Sequence, residues 1–359
     1  MRTTRLRLKT LALTLSLAVS SLFTSNAMAA GPSTQLSVTG AVEHPAVFDA
    51  AKLGVLTSVT QSVTYGSGSG TQSHTYKGTG LWGVLNGAGI VTTGAKNDIL
   101  NRYVLATGSD GYKVVFSLGE LNPNFGNRPD LLAYSEQVGS SWAPLGADGF
   151  ARVTAPGDAK GGRYVSNLVN LDVRASGSTK SGTGGGVSTQ FTVSGQVNKT
   201  MSFDLAALKI LPSVTQTVGT STYTGVSLWS LLDSTVGIST NSAIKNDILS
   251  MYVVATGSDG YKSVFSMGEL NPAFGNQPDL IAYSLNGDPL TTNGFARLVV
   301  PNDVKAGRHV SNLVSLEVCR ATSAVPEPEA MVLAGAGLMA LLLIKRPGRQ
   351  AVLRDQPSK

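Results

Sequence analysis

Two tandem copies of one mainly β domain, each with few short helices, are the architecture that this sequence predicts, an α+β class weighted heavily toward strand. Three observations predict it. Blocks of residues recur at a long and nearly constant offset, the recurring blocks are short β-branched and aromatic runs bounded by glycine, and helical periodicity is confined to brief stretches.

The recurrence comes first because it sets the domain count. Lys96-Asn97-Asp98-Ile99-Leu100 returns as Lys245-Asn246-Asp247-Ile248-Leu249, an offset of 149, and the same offset carries the blocks beginning at Ala106 and Gly119 onto those beginning at Ala255 and Gly268. Gly149-Phe150-Ala151-Arg152 returns as Gly294-Phe295-Ala296-Arg297 at an offset of 145, so copy two is four residues shorter in between. Upstream the offset drops from 155 at Ser58-Val59-Thr60-Gln61 to 147 at Tyr76, which places an eight-residue insertion in copy one around Gly66-Ser67-Gly68-Ser69-Gly70. A unit of this length encloses its own core, unlike a solenoid repeat. Copy one is placed at residues 30–174 and copy two at 189–320, with a Gly/Ser segment at 175–188 that reads as a flexible linker between independent folding units.

Within a copy, Gln35-Leu36-Ser37-Val38-Thr39 and Tyr103-Val104-Leu105-Ala106-Thr107 read as strands, and Asp110-Gly111 reads as a tight hairpin turn. Helical pattern is limited to stretches such as Phe203-Asp204-Leu205-Ala206-Ala207-Leu208 and Ser227-Leu228-Trp229-Ser230-Leu231-Leu232. Trp82 and Trp229 follow glycine-containing turns and are expected in the cores.

The ends read as targeting segments. Arg2, Arg5, Arg7 and Lys9 precede an apolar run and then Ala27-Met28-Ala29, the order of a secretory signal peptide over residues 1–29, cleaved by signal peptidase after Ala27 and Ala29 have been recognised. At the other end, over residues 325–359, Pro326-Glu327-Pro328 precedes an uncharged hydrophobic segment at 330–344 and then Lys345, Arg346 and Arg349. This tripartite order resembles the PEP-CTERM sorting signal. The resemblance implies a Gram-negative envelope, an exosortase-type transpeptidase as partner, transient membrane anchoring through 330–344, and retention in the periplasm, at the outer surface or in the extracellular matrix. Such bacteria commonly make exopolysaccharide, so an exopolysaccharide or an envelope protein is an implied partner.

Charge has to be read after the ends are removed. The chain is formally +6, but residues 1–29 carry +4 and residues 345–359 carry another +4, which leaves residues 30–344 at −2. A nucleic-acid partner therefore loses its electrostatic motive. The one cysteine, Cys319, lies beside the sorting tail, so no disulfide forms within the chain and each core must hold itself.

Read in order, Phe203-Asp204-Leu205, the run from Tyr223 through Leu232, Ala255-Thr256-Gly257-Ser258-Asp259-Gly260-Tyr261, Leu280-Ile281-Ala282-Tyr283, and Gly294-Phe295-Ala296-Arg297-Leu298-Val299-Val300-Pro301 are similar to the molybdopterin-binding domain of sulfite-oxidase-type oxidoreductases. The resemblance implies that fold, a molybdopterin cofactor, and a cysteine thiolate on molybdenum. Neither copy has that cysteine: the region reads Thr60-Gln61-Ser62-Val63-Thr64 in one and Thr215-Gln216-Thr217-Val218-Gly219 in the other. The domains therefore look degenerate, with no catalytic residues and no cofactor expected. Arg152 and Arg297 stand where the family places a residue facing its anionic site, and Arg163 and Arg308 stand in the replaced pterin-holding ending. These four are the candidate cofactor or anion ligands, because a planar guanidinium binds oxyanions through paired hydrogen bonds.

Other chemistry is thin. His44, His74 and His309 each lack a counterpart histidine, and no metal or phosphate-loop spacing occurs. The expectation is a non-catalytic exported binding or structural protein. The alternatives are a molybdenum oxidoreductase using Ser62 or Thr217 as ligand, or a polysaccharide hydrolase working through Asp110 and Glu120.

Overall fold

The structure, a computed structural model, describes residues 31–321. The signal-peptide residues Ala27 and Ala29, the Pro326-Glu327-Pro328 motif and the hydrophobic segment at 330–344 lie outside the described residues. Among the described residues no helix is long and apolar enough to cross a membrane.

Copy one contains β1 (Leu36–Gly40), β2 (Ala46–Phe48), β3 (Val59–Ser67), β4 (Gly70–Gly80), β5 (Arg102–Gly108), β6 (Lys113–Ser117), β7 (Leu131–Val138), β8 (Ser141–Ala143), β9 (Arg152–Thr154) and β10 (Leu168–Ala175). Copy two repeats the series as β11 (Phe191–Gly195), β12 (Met201–Phe203), β13 (Ser213–Val218), β14 (Ser221–Ser227), β15 (Met251–Gly257), β16 (Lys262–Ser266), β17 (Leu280–Leu285), β18 (Asp288–Pro289), β19 (Arg297–Val299) and β20 (Leu313–Arg320). The short helices are α1 (Ala50–Gly54), α2 (Leu81–Gly87) and α3 (Leu118–Leu121), then α4 (Leu205–Lys209), α5 (Leu228–Ser230) and α6 (Met267–Leu270).

Each copy folds into two five-stranded sheets with the same strand order. The first runs β2-β1-β10-β5-β6, matched by β12-β11-β20-β15-β16; the second runs β3-β4-β7-β8 with β9 also on β7, matched by β13-β14-β17-β18 with β19 on β17. The first and last strands of each copy lie side by side in parallel, β1 on β10 and β11 on β20, which closes the unit. The insertion in copy one lengthens the β3–β4 hairpin. Asp110-Gly111 forms the β5–β6 turn, where Gly111 has φ 83° and Asp110 Oδ1 accepts from Tyr112 N at 2.9 Å.

Alternation explains one buried face, as in β1, where Leu36 and Val38 point inward. The β5 run Tyr103-Val104-Leu105-Ala106 is instead buried on both faces, a pattern that needs cover on each side. Val104 and Ala106 enter the core of copy one, whereas Tyr103 and Leu105 enter a third cluster with Val115, Tyr252, Val254 and Val264. That cluster is a seam between the copies. The Tyr103 and Tyr252 rings sit 4.6 Å apart across it. Cross-insertion extends the seam: the Phe274 ring lies over Gly162 and the Phe125 ring over Gly307, positions where any Cβ would collide with the ring.

The copies are therefore packed together, which differs from the independent units that the linker composition implied. The Gly/Ser segment itself runs along copy two. Thr183 N and Gly185 N both donate to Ser258 O at 2.8 Å, and Ser258 Oγ donates to Gly186 O at 2.7 Å. Backbone hydrogen bonds made by small residues hold it, a kind of anchoring that composition does not display. Cys319 is also placed differently: it lies on β20 paired with Tyr252, and burial pushes its thiol up to about 11.

Candidate functional site

The seam is organised about two interlocked helix caps. Ser117 and Ser266 cap α3 and α6, and Glu120 and Glu269 complete reciprocal capping boxes with them. Each serine hydroxyl then reaches across to the other copy's glutamate, Ser117 to Glu269 Oε1 at 3.2 Å and Ser266 to Glu120 Oε1 at 3.1 Å. Arg163 Nη1 donates to Glu120 Oε2 at 2.8 Å while its other face binds Asp158, and Arg308 does the same with Glu269 and Asp303. Both guanidiniums are buried to 2 % exposure or less. Their stems lie against Gly268 and Gly119 of the opposite copy, where an added Cβ would sit 2.4 Å from the arginine Cδ. Arg163 and Arg308 are thus held in ion pairs inside the seam and line neither of the clefts described next.

Burial pushes Glu269 up to about 8, with the facing Glu120 adding to the rise against the pull of Arg308. Asp130 and Asp279, wholly buried nearby, rise to about 8 and about 7 for the same first reason, opposed by Arg163 and Arg308 respectively. Neither makes a side-chain hydrogen bond among the described residues.

Two clefts open at the ends of the seam, each built by both copies. In the first, Asn97 of copy one, in left-handed conformation at φ 52°, donates from Nδ2 to the Tyr261 hydroxyl at 3.0 Å, and that hydroxyl donates to Gly307 O at 2.6 Å. Asn246, Tyr112 and Gly162 repeat this arrangement in the second. The residues of the duplicated Lys-Asn block therefore wall the opposite copy's cleft. The first cleft, about 370 Å³, is lined by Lys96, Asp259, Arg297, His309 and Asn312; the second is smaller, about 250 Å³, and Arg152 does not line it.

The difference between the copies lies around that arginine. Arg152 Nη1 binds the Asp148 carboxylate and donates to the Tyr76 hydroxyl at 3.0 Å, and its guanidinium lies over the Tyr76 and Tyr164 rings at 5.4 and 5.5 Å. The lengthened β3–β4 hairpin adds Tyr65, whose ring centre is 4.2 Å from that of Tyr164. In copy two, Asn293 replaces Asp148 and His309 replaces Tyr164. Arg297 is partly exposed, and no ion pair to a carboxylate holds it among the described residues. Its Nη2 lies 3.4 Å from His309 Nδ1, while His309 Nε2 lies 3.2 Å from Val300 O. A carbonyl can only accept, so Nε2 carries the hydrogen and Nδ1 offers its lone pair to Arg297. Burial and then Arg297 hold His309 below its ordinary value, in keeping with that neutral form.

Asn167 and Asn312, equivalent residues of the two copies, line the second and the first cleft and also hold the entering chain through Ser33 N and Ser188 N, whereas Trp82 and Trp229 lie away from the clefts, packed against the two cores. His74 pairs with Glu136 at 2.5 Å on the lengthened hairpin. Asp110 is exposed in a turn whereas Glu120 is buried in the seam, so the two carboxylates cannot share a substrate and the hydrolase reading is corrected. The residues also do not fit molybdenum: Ser62 is exposed and bonded to Thr75, Thr217 is exposed on β13, and neither lines the clefts. Cys319 lines neither cleft, and among the described residues no group of His, Cys, Asp and Glu could hold a metal. What sequence reading missed was the Asp148-to-Asn293 exchange and the role of Lys96, both visible in the aligned copies but meaningless without the seam.

Comparison with known proteins adds the address. Residues 324–346 match the PEP-CTERM protein-sorting motif. The chain is exported to the cell envelope and sorted by an exosortase. No curated relative matches the chain. Among solved structures, the sulfane dehydrogenase SoxCD from Paracoccus pantotrophus is similar at 13 % identity, covering 78 % of this chain and 77 % of that one, with a TM-score of 0.33.

Proposed function

We propose that this chain is an envelope-retained, non-catalytic binding protein whose ligand is an anion held at Arg297, with an acidic extracellular polysaccharide as the ligand class. The observation that carries it is the contrast between the two arginines: Arg152 is occupied by its own Asp148, whereas Arg297 faces a cleft with Lys96 and lacks that carboxylate. A guanidinium beside a lysine, walled by Asn312 and Ser311, suits a carboxylate flanked by hydroxyls. Asp259 shares the cleft, but one of its carboxylate oxygens is taken by Tyr261 N at 3.0 Å. The copy-one site serves as scaffold. The degenerate molybdopterin-domain reading is kept as the origin of the modules, and the donor set argues against redox chemistry in them.

Two measurements test this. Molybdenum and pterin are assayed in protein purified from a host with an intact cofactor pathway, and near-stoichiometric metal would overturn the reading. Oligouronate binding is then titrated calorimetrically: Arg297→Ala is expected to abolish it and Arg152→Ala to leave it, and equal effects of the two would remove the site from Arg297.

A further inference from the structure

Leu298 N donates to Val310 O at 2.9 Å and Val310 N to Leu298 O at 3.1 Å. That bridge holds β19 beside the segment carrying His309, and the side chains of Arg297 and His309 line the first cleft together. Copy one shows what the same framework does with an anion. There one oxygen of the Asp148 carboxylate takes Arg152 and the other accepts from Ser166 Oγ at 2.6 Å. In copy two the carboxylate is gone, replaced by Asn293, and Ser311 lines the cleft with Arg297. Arg297 Nε is buried without a hydrogen-bond partner, and among the described residues the one bond of its guanidinium is the 3.4 Å contact with His309 Nδ1. The second exchange falls at the same spot, since the imidazole of His309, 8 % exposed, stands where copy one has the Tyr164 phenol.

We propose that His309 is a second ligand of the anion held at Arg297, and that the cleft binds the anion together with a proton, taking it up in acid and releasing it as pH rises. This rests on the reading of Arg297 as an anion site and adds the residue that regulates it. In the neutral ring Nε2–H donates to Val300 O and the Nδ1 lone pair faces Arg297. One proton from solvent puts a second N–H on Nδ1. Without an anion that hydrogen meets the guanidinium donor against donor and charge against charge, so the imidazolium is disfavoured. Two nitrogens 3.4 Å apart can both donate to a single oxygen, and an oxyanion there turns the repulsion into two charge-assisted hydrogen bonds. A tyrosine at this place, as in copy one, has no proton to gain near neutral pH.

The charges around the ring do not replace the anion. Asp303 gives both oxygens to Arg308, and Arg308 gives its remaining face to Glu269. Across the cleft Asp259 accepts from Tyr261 N, Tyr261 keeps its proton because burial raises it, and Lys96 of the other copy adds positive charge. Burial first, then Arg297, hold the imidazole below its ordinary value, with Arg308 adding and the Val300 bond and Asp303 opposing. A bound anion cancels the Arg297 contribution and supplies an acceptor, so it draws the proton in.

The test uses the full chain in a non-ionic detergent, carbon-13 labelled at histidine Cε1, with sulfate as the probe because it keeps its charge throughout, and chloride at equal ionic strength as the control. The His309 signal is the one missing from His309→Gln. Its titration midpoint is expected to rise by about one pH unit or more in saturating sulfate, and by reciprocity sulfate should bind several-fold more tightly near pH ~5.5 than near ~7.5. Calorimetry in two buffers of different ionisation heat should show net proton uptake on binding. In His309→Gln, whose amide reaches toward Val300 O but does not titrate, both the uptake and the acid gain should be lost. Sulfate binding with an unmoved midpoint and no uptake would overturn the role of His309 and leave the Arg297 site standing. An acid gain that survives in His309→Gln would overturn it as well, assigning the protons to the buried acids of the seam. Proton-linked sulfate binding in a protein that ignores oligouronate would uphold His309 and remove only the polysaccharide.

Discussion

Asp148 and Asn293 stand four residues before Arg152 and Arg297 in equivalent turns, and that one-atom-class exchange decides which arginine is available. In copy one the carboxylate takes the guanidinium and also accepts from Ser166 Oγ at 2.6 Å; in copy two the Asn293 carbonyl accepts from Ser311 Oγ at 3.0 Å and leaves the charge on Arg297 uncompensated. Asn293→Asp should therefore build in a competitor for any anion. Oligouronate affinity is expected to fall about tenfold or more, about 1.4 kcal/mol, with the melting temperature nearly unchanged. Calorimetric titration of the variant checks it, and undiminished affinity would mean that the ligand does not use Arg297. A second residue-scale prediction concerns packing. Gly268→Ala places a methyl group 2.4 Å from Arg163 Cδ, a stem pinned by ion pairs at its far end, so it cannot swing away. The expected cost is about 1–3 kcal/mol by chemical denaturation.

At the scale of elements, the lengthened β3–β4 hairpin and the β5–β6 turn were legible because insertions and Asp-Gly turns are local signals. The seam was not. Period-two reasoning assigns Val104 and Ala106 to one face and Tyr103 and Leu105 to the other, but says nothing of what covers the second face, and here the cover is the same face of the other copy. The arginines show the same limit. Arg163 and Arg308 are duplicated and basic, which reads as a ligand-binding pattern, while their partners Glu120 and Glu269 sit in a separate duplicated block whose cross-copy bonding has no trace in spacing. The linker was misjudged for a related reason, since glycine and serine can be held by their backbone alone. The seam makes an element-scale prediction: Tyr252→Ala removes a ring packed at a tilt against Tyr103, should cost about 3–5 kcal/mol, and should lower one shared transition instead of splitting the copies. Calorimetry showing copy two melting alone, with copy one unshifted, would refute that coupling.

For the whole molecule, the seam ties stability to pH with an unusual sign. Glu269, Asp130 and Asp279 are raised in the fold, to about 8, about 8 and about 7, first by burial. The groups facing them are named by the same network: Arg163, Glu120, Asp158 and Arg128 around Asp130, Arg308 and Asp303 around Asp279, and Arg308, Glu120 and Asp279 around Glu269. An acid with a raised folded value binds more protons folded than unfolded. Its contribution is complete below the unfolded value near ~4 and is lost as pH rises through the folded value. His309 is shifted the other way, and its effect ends near its ordinary value of ~6.5, while the raised Cys319 thiol acts only as pH approaches the ordinary thiol range above ~8, so the window between them reports the carboxyls. Stability should therefore fall between pH 6.5 and ~8 by at least ~1 kcal/mol, about 2–4 °C in melting temperature for domains of this size. Asp130→Asn with Asp279→Asn should flatten that slope, because an amide keeps the shape of the protonated carboxyl and cannot ionise. A double variant with the slope of the parent would show that these buried acids do not carry the pH response, and would return the search to Glu269 and its partner across the seam.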